Sequence, residues 1–104
     1  MRRRNELFRK LKETGRLNKE IERMIIDVYG GRGKRALEVV KSGGVRKEGK
    51  RWFVRGKREE YEIVQTYCTC YDYVLNVVTG KARTDMCYHA LAKKICEILD
   101  DLYR

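Results

Sequence analysis

Residues 68–70 read CTC, and after sixteen further residues positions 87–89 read CYH, which holds the chain's only histidine. Two closely spaced ligand pairs match the four positions around a tetrahedral zinc ion. The predicted ligands are Cys68, Cys70, Cys87 and His89. Because four protein ligands leave no open position for a substrate, the sequence predicts one structural zinc ion rather than a catalytic one. The alternative is a set of ordinary strand cysteines followed by a Cys and a His at a helix start.

The spacing within each pair indicates the local structure that would present it. Residues i and i+2 of a strand point to the same face, so Cys68 and Cys70 are expected on a strand. On a helix the same spacing separates two side chains by about 200°. We therefore expect Cys87 at or just before a helix start, with His89 in the first turn. There the free N–H groups of the helix end would point toward the thiolates.

Cys96 is the remaining cysteine, and it competes for a role as a ligand. It follows His89 by seven residues, which corresponds to about 10.5 Å along a helix axis. Both side chains cannot comfortably reach one ion across that distance. We therefore interpret Cys96 as a buried helix cysteine.

Periodicity on either side of the ligand pairs gives the order of elements. Three short helices are predicted in NELFRKLKETG (5–15, N-cap Asn5), NKEIERMIIDVYGG (18–31, N-cap Asn18) and GKRALEVVKSGG (33–44). Strands follow near 45–47, 51–55, 60–67 and 71–78, and a final helix runs from about Met86 to Leu102. The predicted fold class is α+β: N-terminal short helices, a small antiparallel sheet and a C-terminal helix, stabilised by one zinc site.

The chain contains no proline, low-complexity run or internal repeat, so one compact domain is predicted. We divide it into a basic N-terminal helical segment, 1–34, and a zinc-binding region, 35–104. The expected buried stripe of the second helix is Ile21, Met24, Ile25 and Val28, and that of the final helix is Leu91, Ile95, Ile98 and Leu102.

The net charge of +10 is distributed unevenly along the chain. Residues 1–60 carry 20 Lys and Arg against 9 Asp and Glu, whereas residues 61–104 carry 5 against 6. A basic block of this size favours a phosphate backbone, another polyanion or an acidic protein as partner. An ordinary solvated surface is the alternative.

Basic residues alternate with aromatic ones in RKEGKRWFVRGKR, at 46–58. Such a hairpin could neutralise phosphates while Trp52 or Phe53 stacks on a base, although at least one of these rings is expected in the core. The candidate nucleic-acid-binding residues are Arg32, Lys34, Arg35, Arg46, Lys47, Lys50, Arg51, Arg55, Lys57 and Arg58. Arg2–Arg4 would add a flexible arm, or form no more than a ragged terminus.

Two further features remain open at this stage. GGRGKR, at 30–35, departs twice from a phosphate-binding loop: Val28 occupies the first glycine position, and Arg35 replaces the Ser or Thr. It either contacts phosphate through backbone N–H groups or simply ends a helix. The tyrosines at 67, 71, 73 and 88 flank the predicted ligands and either pack around the metal or stack on bases or a partner.

CTC followed by CYH resembles the CxC…CxH signature of the SWIM zinc finger. The flanking segments RALEVVKSGGV, WFV and CYHALAKKI are also similar to that module, and the resemblance covers about residues 35–99. It implies the same four zinc ligands and a role in binding DNA or protein. SWIM modules occur in chromatin-remodelling ATPases, transposase-like proteins, ubiquitin ligases and small recombination-associated proteins. The departures here are a long interval between the pairs and two predicted helices before the usual segment.

Most SWIM modules are embedded in large enzymes, whereas here the module stands nearly alone. We expect a small structural-zinc SWIM protein that binds nucleic acid, DNA in the first instance. The alternative is a protein-interaction adaptor for a DNA-processing or recombination factor, such as a recombinase-like ATPase. No nucleophile, base and orienting acid can be assembled, so no enzyme is expected. With no membrane-spanning run and no secretory signal, the expected location is intracellular, in the cytoplasm, nucleoid or nucleus.

Overall fold

Four α-helices surround a three-stranded antiparallel sheet in the computed structural model, which describes residues 2–81 and 84–102, with side chains at 3–81 and 84–100. The helices are α1 (Arg2–Thr14), α2 (Lys19–Tyr29), α3 (Gly31–Lys41) and α4 (Tyr88–Leu102). The strands are β1 (Val45–Glu48), β2 (Arg51–Arg55) and β3 (Glu60–Ile63). The predicted α+β class is therefore confirmed, with its order of helices, sheet and final helix.

The start of α2 follows from its sequence. The Asn18 side chain accepts a hydrogen bond from the Ile21 N–H at 2.8 Å, as an N-cap should. Gly30 ends the helix at a φ of 61°, a conformation that favours glycine. Ile21 and Ile25 are buried as predicted, and Tyr29 is buried beside them, whereas Met24 and Val28 of the predicted stripe are half-buried.

The N-terminal helix begins earlier than predicted. Arg2–Arg4, expected as a flexible arm, belong to the first turn of α1, so Asn5 is not its N-cap. Arg4 lies 3.7 Å from the Asp85 carboxylate, and its guanidinium stands over the Tyr29 ring. The prediction of a flexible arm or a ragged terminus was wrong, because the helix extends through these residues and Arg4 makes tertiary contacts from it.

GGRGKR forms the turn between α2 and α3 and the start of α3, rather than a phosphate-binding loop. Gly33 is buried where the two helices meet. A Cβ built on it would lie 2.6 Å from the Ile25 carbonyl oxygen. The glycine thus permits close helix packing, and the basic residues after it are carried on α3.

The sheet has the order β1-β2-β3, and its register separates two faces. Trp52, Val54 and Ile63 point to the inner face, toward α4, with Val54 and Ile63 fully buried. Phe53 points to the outer face. Trp52 and Phe53 thus point in opposite directions, and both rings are half-buried. The expectation that at least one of them lies in the core was therefore wrong.

The chain between β3 and α4 departs most from prediction. Strand β3 ends at Ile63, and Gln65 then adopts a φ of 56° in a turn bridged by Val64 and Tyr67. The predicted strand at 71–78 is instead a helical turn that continues as a π-helix at Tyr73–Val77. The β-branched residues that predicted a strand lie on an exposed segment, where local backbone hydrogen bonds replace pairing with the sheet.

One hydrophobic core joins elements from both predicted segments, from Leu7 of α1 to Ile98 of α4. Helix α4 contacts α1, α3 and all three strands, and Leu91, Ile95 and Ile98 are buried as predicted. The predicted Leu102 lies outside the described side chains. In the described part of the chain, no helix has the length and apolar character needed to cross a membrane.

Candidate metal centre

The four predicted ligands come together in one buried cluster. Three thiol sulfurs and a ring nitrogen of His89 all lie within 4.8 Å of one another. Tetrahedral zinc places sulfur ligands about 3.8 Å apart, so a small contraction would complete such a site. Cys68, Cys70, Cys87 and His89 could therefore hold one metal ion.

The first ligand pair is not on a strand, which corrects the predicted geometry. Cys68 and Cys70 follow the turn after β3, and their convergence comes from a bend in the backbone. The Cys70 N–H faces the Cys68 sulfur at 3.4 Å, and the Tyr73 N–H faces the Cys70 sulfur at 3.3 Å. The helical turn that begins at Tyr71 is thus hydrogen-bonded to the sulfur of Cys70 through the Tyr73 N–H.

The second pair lies where its spacing predicted. Cys87 precedes the first residue of α4, and His89 lies in its first turn. The Ala90 N–H donates to the Cys87 sulfur at 3.4 Å. Backbone donors therefore reach all three sulfurs, an arrangement that stabilises negative charge on thiolates.

The thiols share their protons unequally. Hydrogen bonds from Cys68 and Cys87 hold the pKa of the Cys70 thiol far below its ordinary value. The hydrogen bond to Cys70 raises the pKa of Cys68 to about 11, and those to Cys68 and Cys70 raise the pKa of Cys87. A metal ion ligated by all three sulfurs would displace these protons, so its binding depends on pH.

His89 provides a test of whether a metal fits. Its side chain is buried, and among the described residues neither ring nitrogen has a hydrogen-bond partner. Buried polar atoms without partners are rare because desolvation is costly. A metal ion bound to one nitrogen would remove much of that cost, and the Cys₃His donor set suits zinc.

Two aromatic rings hold His89 in place. The Tyr88 ring centroid lies 3.9 Å from that of His89, and the Tyr61 centroid lies at 4.7 Å. The sequence placed Tyr88 beside the predicted ligands but missed Tyr61. The alternation of Tyr61 with Ile63 on the inner face of β3 was the signal that could have found it.

Gly56 is a second residue that the sequence analysis missed. A Cβ built on it would lie 2.6 Å from the Tyr61 ring, 2.9 Å from the Glu59 carbonyl oxygen and 3.1 Å from His89 Nε2. The β2–β3 loop therefore approaches the metal cluster closely only because residue 56 has no side chain. The strands predicted at 51–55 and 60–67 place Gly56 in the connection between them, which gives no sign of this contact.

Lys93 supports the turn before the first ligand pair. Its side chain is 4% exposed, and its ammonium donates to the Gln65 carbonyl at 3.1 Å and to Glu97 at 2.9 Å. The same α4 that carries His89 thereby fixes the turn that leads to Cys68. Cys96 lies outside the cluster; it is half-buried, and burial raises its pKa to about 11.

A groove of about 410 Å³ opens over the metal cluster. Buried Cys70 and His89 form part of its floor. Three exposed cations line it, and we refer to them as the groove rim: Arg35 of α3, and Lys57 and Arg58 of the β2–β3 loop. The groove brings together only these three of the ten predicted nucleic-acid-binding residues.

The outer face of the sheet carries three more of the ten. We refer to Arg46, Arg51 and Arg55 as the outer-face arginines. Arg46 contacts Glu60 at 2.7 Å and Glu48 at 2.6 Å, and Arg51 contacts Glu62 at 2.8 Å. Their guanidinium groups also stand over the Phe53 ring, at 4.3 and 5.1 Å.

The four remaining predicted residues lie elsewhere, and the third outer-face arginine has a different kind of partner. Arg32 forms a two-pronged pair with Asp72, at 2.9 and 2.7 Å, and Lys47 contacts Asp100 at 2.9 Å. Arg55 donates to the Ser42 hydroxyl at 2.9 Å. Lys34 is exposed on α3, and Lys50 is exposed in the turn between β1 and β2.

Sequence comparison relates the chain to a protein of Archaeoglobus fulgidus that is described only as uncharacterized. The two are 33% identical over 79 residues, which cover 76% of this chain and 66% of the relative, just under two-thirds of its length. No family model matches, and no solved structure gives a significant match. The chain is thus similar to an archaeal protein, and inferences about its function rest on its own residues.

Proposed function

We propose that this protein is a small SWIM-type zinc protein that binds nucleic acid, DNA in the first instance, through the groove rim. One observation carries the proposal: Arg35, from the segment after α2, and Lys57 and Arg58, from the hairpin, line the same groove. A basic surface shared by these two segments is what phosphate-backbone binding requires.

In this proposal the metal is structural and the protein is not an enzyme. Four ligands would close the shell of a zinc ion, so no position remains for a substrate. The only histidine is one of those ligands. The zinc site would fix the backbone that carries the groove, and the SWIM resemblance agrees with the convergence of CxC and CxH.

The test compares two variants that remove the same charge from different faces. The groove-rim variant is Arg35→Gln, Lys57→Gln and Arg58→Gln; the matched control is Arg46→Gln, Arg51→Gln and Arg55→Gln. Salt-titrated fluorescence anisotropy with labelled DNA measures binding. We expect the groove-rim variant to lose at least about tenfold in affinity and about one unit of salt slope per lost phosphate contact. The control should change far less.

Equal losses in the two variants would indicate a diffuse charge effect and contradict a groove-based site. Metal content and the urea midpoint should stay close to wild type in both, because all six side chains lie away from the buried core.

A protein-interaction adaptor is the second candidate. The apolar face of α2 does not favour it, because Ile21 and Ile25 are buried. The segment after β3 does, since Val64, Val74 and Val78 are 59%, 51% and 64% exposed. A purified recombinase-like ATPase that co-elutes with wild type but not with Val74→Ser and Val78→Ser would favour this function; no complex would count against it.

A further inference from the structure

The groove has the size and continuation expected for a strand of nucleotides rather than a flat phosphate-contact surface. Its volume of about 410 Å³ lies within the ordinary range for ligand pockets, about 300–1,000 Å³. A second hollow of about 340 Å³ adjoins it and shares Arg35, Asp72 and Tyr88 with it. A chain that entered the groove could therefore continue over α3.

Tyr71 supplies the groove with an aromatic surface. The side chain lines the groove and is 79% exposed, and within the described part of the chain no aromatic ring packs against it. Its backbone is positioned by the neighbouring ligand, because the Cys70 N–H is bound to the Cys68 sulfur. An exposed aromatic ring beside three cations is suited to stacking on a base.

The charges place a phosphate at the rim rather than on the floor. Asp72 lines the groove, but its charge is matched by the two hydrogen bonds from Arg32. Glu59 is the other acidic residue that lines the groove, so the three cations of the rim outnumber it. A zinc centre with three thiolates would carry a formal −1, which repels a phosphate from the floor and leaves that space for an uncharged base.

We infer that the groove binds an unpaired nucleotide, with its base on Tyr71 and its phosphate at the groove rim, so that the protein prefers single-stranded to duplex nucleic acid. This inference rests on the proposed function. A base inside a duplex exposes only its edges, whereas stacking on Tyr71 requires a free face. Single-stranded DNA and RNA share this chemistry.

The test measures anisotropy with a labelled oligothymidylate, an oligouridylate, and a DNA duplex of equal length at the same salt concentration. We expect wild type to bind a single strand more tightly than the duplex. Tyr71→Ala should weaken single-strand binding by roughly 5- to 100-fold and leave duplex affinity unchanged. Tyr71→Phe should restore binding, because the ring rather than the hydroxyl stacks. The thymidylate and uridylate arms identify DNA or RNA as the better ligand.

Tyr67→Ala is the matched control. Tyr67 is 58% exposed, and its ring packs edge-on against Tyr73, at 5.3 Å, instead of lining the groove. It should retain single-strand affinity. An abasic strand of the same length adds a readout that a general folding defect cannot mimic: wild type should bind it weakly, and Tyr71→Ala should no longer distinguish it from oligothymidylate.

Two results would overturn the inference while leaving the proposed function intact. One is equal affinity of wild type for single strands and duplex, with loss of both in the groove-rim variant. The other is unchanged single-strand binding by Tyr71→Ala in a protein that still depends on the rim. Failure of wild type to bind any nucleic acid would instead refute the proposed function, and this inference with it.

Discussion

The outer face of the sheet and the groove rim carry three cations each, yet their charge is available to different degrees. Across β1, β2 and β3, the outer-face arginines alternate with Glu48, Glu60 and Glu62, and two of them form ion pairs. The rim cations share their groove with Glu59 and with an Asp72 already bound to Arg32. Basic residues in a sequence therefore indicate a polyanion site only where the fold leaves their charge unmatched.

The largest change should follow loss of the zinc proposed for the cluster, because Cys70 and His89 also form part of the groove floor. We expect Cys70→Ala, or chelation of wild type, to abolish cooperative unfolding, since structural zinc contributes about 10–16 kcal/mol in zinc-finger peptides. Circular dichroism during urea titration, together with zinc content, is the measurement.

Cys96→Ala is the matched control, with the same substitution at the cysteine outside the cluster. It should retain about one zinc per chain and shift stability by about 1 kcal/mol. A stable, metal-free Cys70→Ala protein would refute the structural role of the metal.

A smaller effect is expected where the β2–β3 loop approaches the cluster. Gly56→Ala would press a methyl group against Tyr61, the Glu59 carbonyl and His89. Overpacking of this kind costs about 1–3 kcal/mol, and here it should also speed transfer of zinc to a chromophoric chelator. Both the urea midpoint and the transfer rate can be measured.

Gly31→Ala gives the contrasting result. Gly31 opens α3 with no atom within 4 Å of a built Cβ, so alanine should stabilise the helix by up to about 1 kcal/mol and leave zinc transfer unchanged. Equal transfer rates in the two variants would show that the loop does not constrain the metal centre.

The smallest effect should come from removing two glutamates that pair with Arg46 and Arg51 on the outer face of the sheet. Arg46 and Arg51 hold the pKa of Glu60 and Glu62 below its usual range through hydrogen bonds. Glu60→Gln with Glu62→Gln frees Arg51 and leaves Arg46 paired only with Glu48. Low-salt DNA affinity should therefore rise a few-fold, and the salt slope should increase by about one per new contact.

Glu6→Gln with Glu13→Gln removes the same charge from α1 and serves as the control. It should raise affinity less, because these substitutions release neither Arg46 nor Arg51 from its ion pair. If both double variants behave alike, net charge rather than position governs binding.

Local sequence signals were sufficient for much of the fold. Asn18 and Gly30 lie at the two ends of α2 as predicted. Both signals are local, because a side-chain cap and a positive φ depend on residues adjacent in sequence. The four side chains that could hold a metal ion were also identified from their spacing. The strand predicted at 71–78 failed, because residues that favour strands still need a partner strand, and β3 stops at Ile63.

The parts of the site that could not be predicted depend on contacts distant in sequence. The pairing of Arg51 with Glu62 follows from the register of β2 against β3, and the Arg32–Asp72 pair spans forty residues. Gly56 looked like any turn glycine until Tyr61 and His89 were placed beside it. The members of each predicted ligand pair are close in sequence and could be recognised there. The groove, by contrast, is formed by residues that come together only in the folded structure.

The segment between the two ligand pairs is a loop that a bound metal would close at both ends. Doubling the length of such a loop adds only about 0.6 kcal/mol to its closure entropy. The exposed turn at 78–81, with Gly80 at a φ of 75°, is therefore a suitable place to insert a fluorophore or affinity tag. Within CTC or CYH, by contrast, one added residue would redirect a ligand.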